Sequence, residues 1–296
     1  MCRTDVRLHR ALAVVTVCLA AGTAQAQGPP TLAVEAPPAL GSVKARLEAY
    51  DPRPLADIAR AVGLEQPGPP IRVVLATDDS EWSAPVASWV AGYAIGRESL
   101  VVLFPSRSPT WPQDSLEDVL RHEVAHVLID RAAGGYPVPR WFHEGLAVVA
   151  ERPMGMEDRV RLASELLFGR RSTLEELNQL FARGQGTQSR AYSVSAAVVR
   201  DLIQVHGQTA PADILRLVAQ GEPFAAALTR VTGRTVPSLE HEFWDRQRTW
   251  TTWVPILGSS TVLWVAIIGL AALARRRRRA RAAEIRRRWE AEPDDM

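Results

Sequence analysis

The segment from Leu116 to Asp130, LEDVLRHEVAHVLID, constrains the fold more than any other part of the chain. Apolar residues fall on nearly every side of a helix drawn through it: Leu116, Val119, Leu120, Val124, Val127 and Leu128. A helix that is apolar all round is buried rather than laid on a surface. The rest of the domain therefore has to wrap around this one. Ser115, followed three residues later by Asp118, gives the start capping-box character, with Asp standing where Glu is preferred. Gly134-Gly135 supplies the turn that ends it.

Three ionisable residues, His122, Glu123 and His126, lie inside this apolar text. A packed core gains nothing from them, and burying them unpaired is costly. Four residues turn a helix by about 400°, so His122 and His126 project from one face, one turn apart. That spacing lets two imidazoles meet one metal ion at about 2.0–2.1 Å from each nitrogen. Glu123 lies beside them and can reach a metal-bound water without being a ligand, the H-E-x-x-H arrangement. The competing reading is a central helix whose histidines hydrogen-bond to backbone.

The ends of the 296-residue chain are expected to lie outside the folded body. Arg3, Arg7, His9 and Arg10 form a basic start, Ala11 to Ala21 a short apolar run, and Ala24-Gln25-Ala26 a small-residue cleavage site. Residues 1–26 thus read as a secretory signal peptide. Both cysteines, Cys2 and Cys18, fall in this leader, so residues 27–296 offer no thiol, disulfide or cysteine metal ligand. Near the other end, Trp253 to Ala274 runs for 22 residues without a charge. At 1.5 Å per residue this is about 33 Å, enough to cross a hydrocarbon core of about 30 Å. Arg275 to Arg279 follow at once, and by the positive-inside rule residues 275–296 form a cytoplasmic basic tail. The leader carries +2 and the tail +4, so the total of +2 leaves −4 for residues 27–274. The basic balance belongs to the ends, where it fits anionic lipid headgroups, and no nucleic-acid partner is expected.

Between these ends, residues 27–39 are rich in Pro and Ala and read as a loose lead-in. Helical patterns follow near Val43 to Tyr50 and Leu55 to Val62, and Ile71 to Ala76 reads as a strand. YAIGRESLVVLFP reads as two strands around a Gly-Arg-Glu-Ser turn, the second being Leu100 to Phe104. From Ser115 onward the pattern is helical. Residues 40–250 are expected to form one α+β domain, with a small N-terminal mixed sheet, the active-site helix and a C-terminal helical lobe, followed by one transmembrane helix at 253–274.

Downstream of the histidines stands PVPRWFHEGLAVVAE, Pro137 to Glu151. With H-E-x-x-H it resembles the gluzincin zinc metallopeptidases, most closely their bacterial peptidase MA-like branch. Those proteins pair H-E-x-x-H with W-x-x-E-G-x-A, matched here by Trp141, Glu144, Gly145 and Ala147. The resemblance covers roughly residues 70–245 and implies that Glu144 is the third zinc ligand beside His122 and His126. His143 stays a competing third ligand, and Glu151, two turns on, a further candidate or a solvated helix end. Relatives use a Tyr or His from the helical lobe to stabilise the oxyanion. Tyr192 is the candidate here, against a Tyr packed with its hydroxyl on backbone. Asp118 and Asp130 lie one turn before His122 and one turn after His126, where either could orient a ligand imidazole. Thermolysin-like enzymes have an Asp four residues past the ligand Glu, but that position is Val148 here. In the family an edge strand beside the active helix can hold an extended peptide. Leu100 to Phe104 is the candidate, and an ordinary core strand is equally compatible.

The expected function is a membrane-anchored, extracytoplasmic zinc metallopeptidase. Zn2+ would activate a water, Glu123 would act as general base, and the substrate would be a peptide or protein. The catalytic domain would lie in the periplasm or outside the cell, held to the inner membrane by one span. Two rivals are an inactive zincin-fold binding module and a hydrolase of non-peptide substrates.

Overall fold

The computed structural model describes residues 28–108, 115–151, 171–181 and 185–257, with 264, 267–268 and 270–279 beyond them. The expected leader, and nine of the 22 residues of the run 253–274, lie outside the described residues. Among the described residues no helix is long and apolar enough to cross a membrane.

Four short strands form one mixed sheet in the order β1-β2-β4-β3. They are β1 (Leu32–Glu35), β2 (Ile71–Leu75), β3 (Gly92–Ile95) and β4 (Leu100–Leu103). The interior strands β2 and β4 pair in parallel, Val73 opposite Val101, and their β-branched runs are buried on both faces. Alternate residues serve different cores. Ile71, Val73, Leu75, Val101 and Leu103 join the main core, whereas Val74, Leu100, Val102 and Phe104 form a smaller cluster with Trp82, Val86 and Tyr93.

One expectation is corrected here and one open alternative is decided. The lead-in is not loose, since Leu32–Glu35 pairs in parallel with β2 and extends the sheet. Arg72 clamps this edge by donating to both carboxylate oxygens of Glu35, at 2.8 and 2.9 Å. Four residues give too short an alternation to stand out, and a parallel partner 39 positions away leaves no local sign of pairing. Of the two readings left open for Leu100 to Phe104, the core strand holds, since Leu100–Leu103 is an interior strand. The hairpin folds β3 antiparallel onto it, so among the described residues β3 is the edge strand on that side.

Helices α1 (Gly41–Glu48) and α2 (Arg53–Ala61) follow β1. The long α3 (Leu116–Ala132) then crosses the sheet, packing on β3 and β4. Ser115 caps it as expected, its Oγ accepting from the Asp118 N–H at 3.2 Å. Gly134 and Gly135, both at positive φ, stop it, and the Gly135 N–H closes onto the Asp130 carbonyl at 2.8 Å. The helical lobe comprises α4 (Arg140–Glu151), α5 (Leu174–Leu180), α6 (Gln185–His206), α7 (Ala210–Ala219), α8 (Phe224–Thr232) and α9 (Val236–Leu257). Helix α4 is gripped between α3 and α6. At Gly145 a Cβ would stand 2.5 Å from the Ser195 carbonyl oxygen, so only glycine lets these two backbones meet so closely.

Candidate metal centre

Helix α3 presents His122, Glu123 and His126, and α4 brings Glu144 across to face them. The His122 and His126 Nε2 atoms are 3.1 Å apart. Glu144 Oε2 stands 3.4 Å from His126 Nε2 and 3.7 Å from His122 Nε2. These three groups offer ligand atoms that all lie within 4.8 Å of one another. Glu144 Oε2 is buried and makes no hydrogen bond among the described residues. An unsatisfied buried carboxylate oxygen aimed at two imidazole nitrogens is costly unless a cation completes the group.

The far sides of the rings tell which nitrogens carry protons. His122 Nδ1 lies 2.6 Å from Glu151 Oε2. A carboxylate only accepts, so Nδ1–H donates and Nε2 keeps its lone pair in the neutral ring. His126 Nδ1 lies 2.8 Å from His143 Nδ1, and His143 Nε2 lies 3.0 Å from Asp130 Oδ1. His143 therefore donates from Nε2 to Asp130 and accepts at Nδ1 from His126, whose Nε2 is left free to ligate. The two rings stack at 4.7 Å and 13°. Two lone pairs and a carboxylate oxygen converging on one point form a donor set suited to a divalent cation, as in sites with His and Glu ligands.

Several expectations resolve differently. His143 is not in the triad, because both its nitrogens are engaged by His126 and Asp130. Glu151 is not a solvated helix end. Its side chain is fully buried, and it supplies the orienting contact to His122 that Val148 cannot. Seven residues return a helix to nearly the same face, so the spacing from Glu144 carried the signal. Asp118 turns away from His122 and binds Arg121 and Ser115 instead. Asp130 does act on a ligand ring, but through His143. Arg140 had no role in the sequence reading. It donates from Nε to Glu144 Oε1 at 3.3 Å, the usual i,i+4 reach along a helix.

A cavity of about 650 Å3 opens over the triad. Glu123 and Tyr192 line it together with the three candidate ligands. Tyr192 packs edge-on against His122, centroids 5.9 Å apart, and against Phe181 at 5.1 Å. Burial and the neighbouring Glu144 and Glu123 hold its hydroxyl protonated, well above the ordinary phenol range.

In the metal-free chain, burial pushes the Glu123 carboxyl up to about 7, opposed by His122 and reinforced by Glu144 and Glu151. Burial opposes charge on His122 as well, but Glu151 overcomes it and raises that imidazole well above its ordinary value. Burial would raise Glu144, yet the imidazoles of His126 and His122 hold it well below the usual carboxylate range. For His143 burial wins over Asp130 and lowers its value, which favours the neutral ring the hydrogen bonds require.

Compared with protein-family models, with curated proteins and with solved structures, the chain finds no match in any of the three.

Proposed function

We propose that the chain is a zinc metallopeptidase of gluzincin type, as the resemblance in His122-Glu123-x-x-His126 and Trp141-x-x-Glu144-Gly145-x-Ala147 implies. The observation that carries this reading is the convergence of His122 Nε2, His126 Nε2 and Glu144 Oε2, with only these three ligand groups in the cluster among the described residues. Three protein ligands that leave one position open are the mark of a catalytic rather than a structural zinc site. A zinc ion held there would supply Lewis acidity and lower the pKa of a bound water toward 7.

The chain's own residues would do the rest. Glu123 lines the cavity without joining the triad and, with its carboxyl near neutrality, is suited to take a proton from the attacking water. The same carboxyl can hand that proton to the amine nitrogen that leaves. Tyr192, held protonated, can donate to the carbonyl oxygen as negative charge builds on it. Glu151 and the His143–Asp130 pair keep the two imidazoles in the ligating tautomer.

The uncharged run 253–274 and the arginines after it support a single membrane anchor, and the leader supports an extracytoplasmic catalytic domain. The test is a peptide-library digest by the zinc-loaded full chain beside Glu123→Gln. Wild type should cleave, and the variant should keep its metal and lose at least about a hundredfold in turnover. Metal binding without cleavage of any peptide would favour a binding module, and unchanged hydrolysis by the variant would remove Glu123 from the chemistry.

A further inference from the structure

The two walls of the cavity differ in character. The stretch leading into β3 contributes Val86, Trp89 and Val90, β3 itself contributes Tyr93, and neither carries a formal charge between 86 and 93. The helical wall contributes Arg140, the single Lys or Arg that lines the cavity among the described residues. Among the described residues, Arg140 makes one hydrogen bond, from Nε to Glu144 Oε1 at 3.3 Å. No other polar partner meets its two terminal nitrogens among the described residues, and the side chain is 49% exposed. The guanidinium lies over the Phe181 ring, 5.0 Å from its centroid, which limits where it can swing.

Helix stability does not account for an arginine here. Arg140 is the first residue of α4, where the helix dipole favours anions and disfavours cations. Its i,i+4 partner Glu144 is C-terminal to it, the weaker order for such a pair. A lysine or arginine at this position is therefore unfavourable for the helix alone, while its donor fork faces the reaction chamber.

We propose that Arg140 binds a carboxylate of the substrate, placed one residue beyond the bond that is cut; this inference rests on the peptidase reading. Glu144 sets the spacing. Its Oε2 stands 3.4 and 3.7 Å from the imidazole nitrogens while its Oε1 accepts from Arg140 Nε at 3.3 Å, so one carboxylate stands between the guanidinium and the triad. A substrate whose carbonyl is drawn to that centre carries its next Cα about 3.8 Å beyond the Cα before it, so a carboxylate on that next residue can extend to Nη1 and Nη2. A planar fork of two N–H groups matches a carboxylate in two-point contact, which a lysine could not reproduce. The carboxylate has two sources, the substrate's own C-terminus or an Asp or Glu side chain at that residue.

Matched peptides separate these sources. Acetyl-Ala-Phe and its C-terminal amide test the terminus; the amides acetyl-Ala-Asp-NH2 and acetyl-Ala-Asn-NH2 test the side chain. Binding is read by calorimetry on the full chain, metal-free and as zinc-loaded Glu123→Gln, and cleavage on the zinc-loaded wild type. At least one acid member should bind and be cleaved about tenfold or more better than its neutral partner. The preference should fall to within about twofold in Arg140→Gln and be partly kept in Arg140→Lys. Equal binding and cleavage of both pairs by wild type would overturn the role of Arg140 while leaving the peptidase standing. A tenfold acid preference in binding with no cleavage would uphold Arg140 and sink the peptidase reading. An acid preference that survives in both variants would assign the carboxylate to another group.

Discussion

The two imidazoles of the triad are held in different ways. His122 rests directly on Glu151, whose side chain is fully buried. His126 rests on His143, which rests on Asp130, whose side chain is 35% exposed. The inner arrangement is one short contact in a dry environment, where a hydrogen bond to a charged group is strong and its loss leaves an orphaned donor. The outer one is a chain of two contacts ending near solvent, where water can replace the last acceptor. Burial thus decides how much each orienting partner matters, although the two contacts look alike on paper. It also cuts the other way, because Glu123 shares the inner environment and is penalised for its charge.

That penalty gives the largest expected effect. Glu123 has its carboxyl near 7 in the metal-free fold against an ordinary 4.5. Between those values the unfolded chain has released the proton and the folded chain still holds it. The Glu123 contribution to stability therefore falls as pH rises through this window, by at most on the order of 3 kcal/mol. Denaturation of metal-free wild type and Glu123→Gln across pH 4 to 8 should show the variant gaining on wild type by that amount. Parallel pH profiles would mean that Glu123 is not dry.

Next in size is Glu151→Ala, which strands the His122 Nδ1–H. Zinc affinity, measured by chelator competition, should fall about a hundredfold. Glu151→Gln keeps an acceptor and should lose less. On the outer side His143→Ala should weaken zinc about tenfold. Asp130→Asn should do so by about threefold, since its site is open to water. If Asp130→Asn matched Glu151→Ala, the contrast between the two sides would collapse. Gly145→Ala probes the seam that supports both. Its Cβ would meet the Ser195 carbonyl, so destabilisation of about 1–3 kcal/mol is expected in urea titrations.

Legibility in the sequence followed the same division between local and distant. Helix α3 could be read end to end because its cap, its apolar positions and its terminal glycines are all local. The β3–β4 hairpin was equally plain from its turn. Strand β1 escaped because its partner lies far along the chain, and whether Leu100 to Phe104 is edge or core stayed open because sheet order is not a local property. Within the site, the i,i+4 histidines follow from helix geometry alone, whereas Glu144 needed a family resemblance to single it out from His143. Glu151 was noticed two turns past Glu144 as a further candidate or a solvated helix end, since no local pattern tells that its side chain is buried against His122. Arg140 passed unnoticed because a lone arginine at a helix start is ordinary until the cavity beside it is known.

The central claim is that one divalent cation is held by His122, His126 and Glu144 together. Metal analysis of the full chain after exhaustive dialysis, wild type beside Glu144→Ala, tests it most directly. About one zinc per wild-type chain and less than about a tenth of that in the variant is the expected result. Zinc kept at the wild-type level without the Glu144 carboxylate would contradict it and move the third ligand elsewhere.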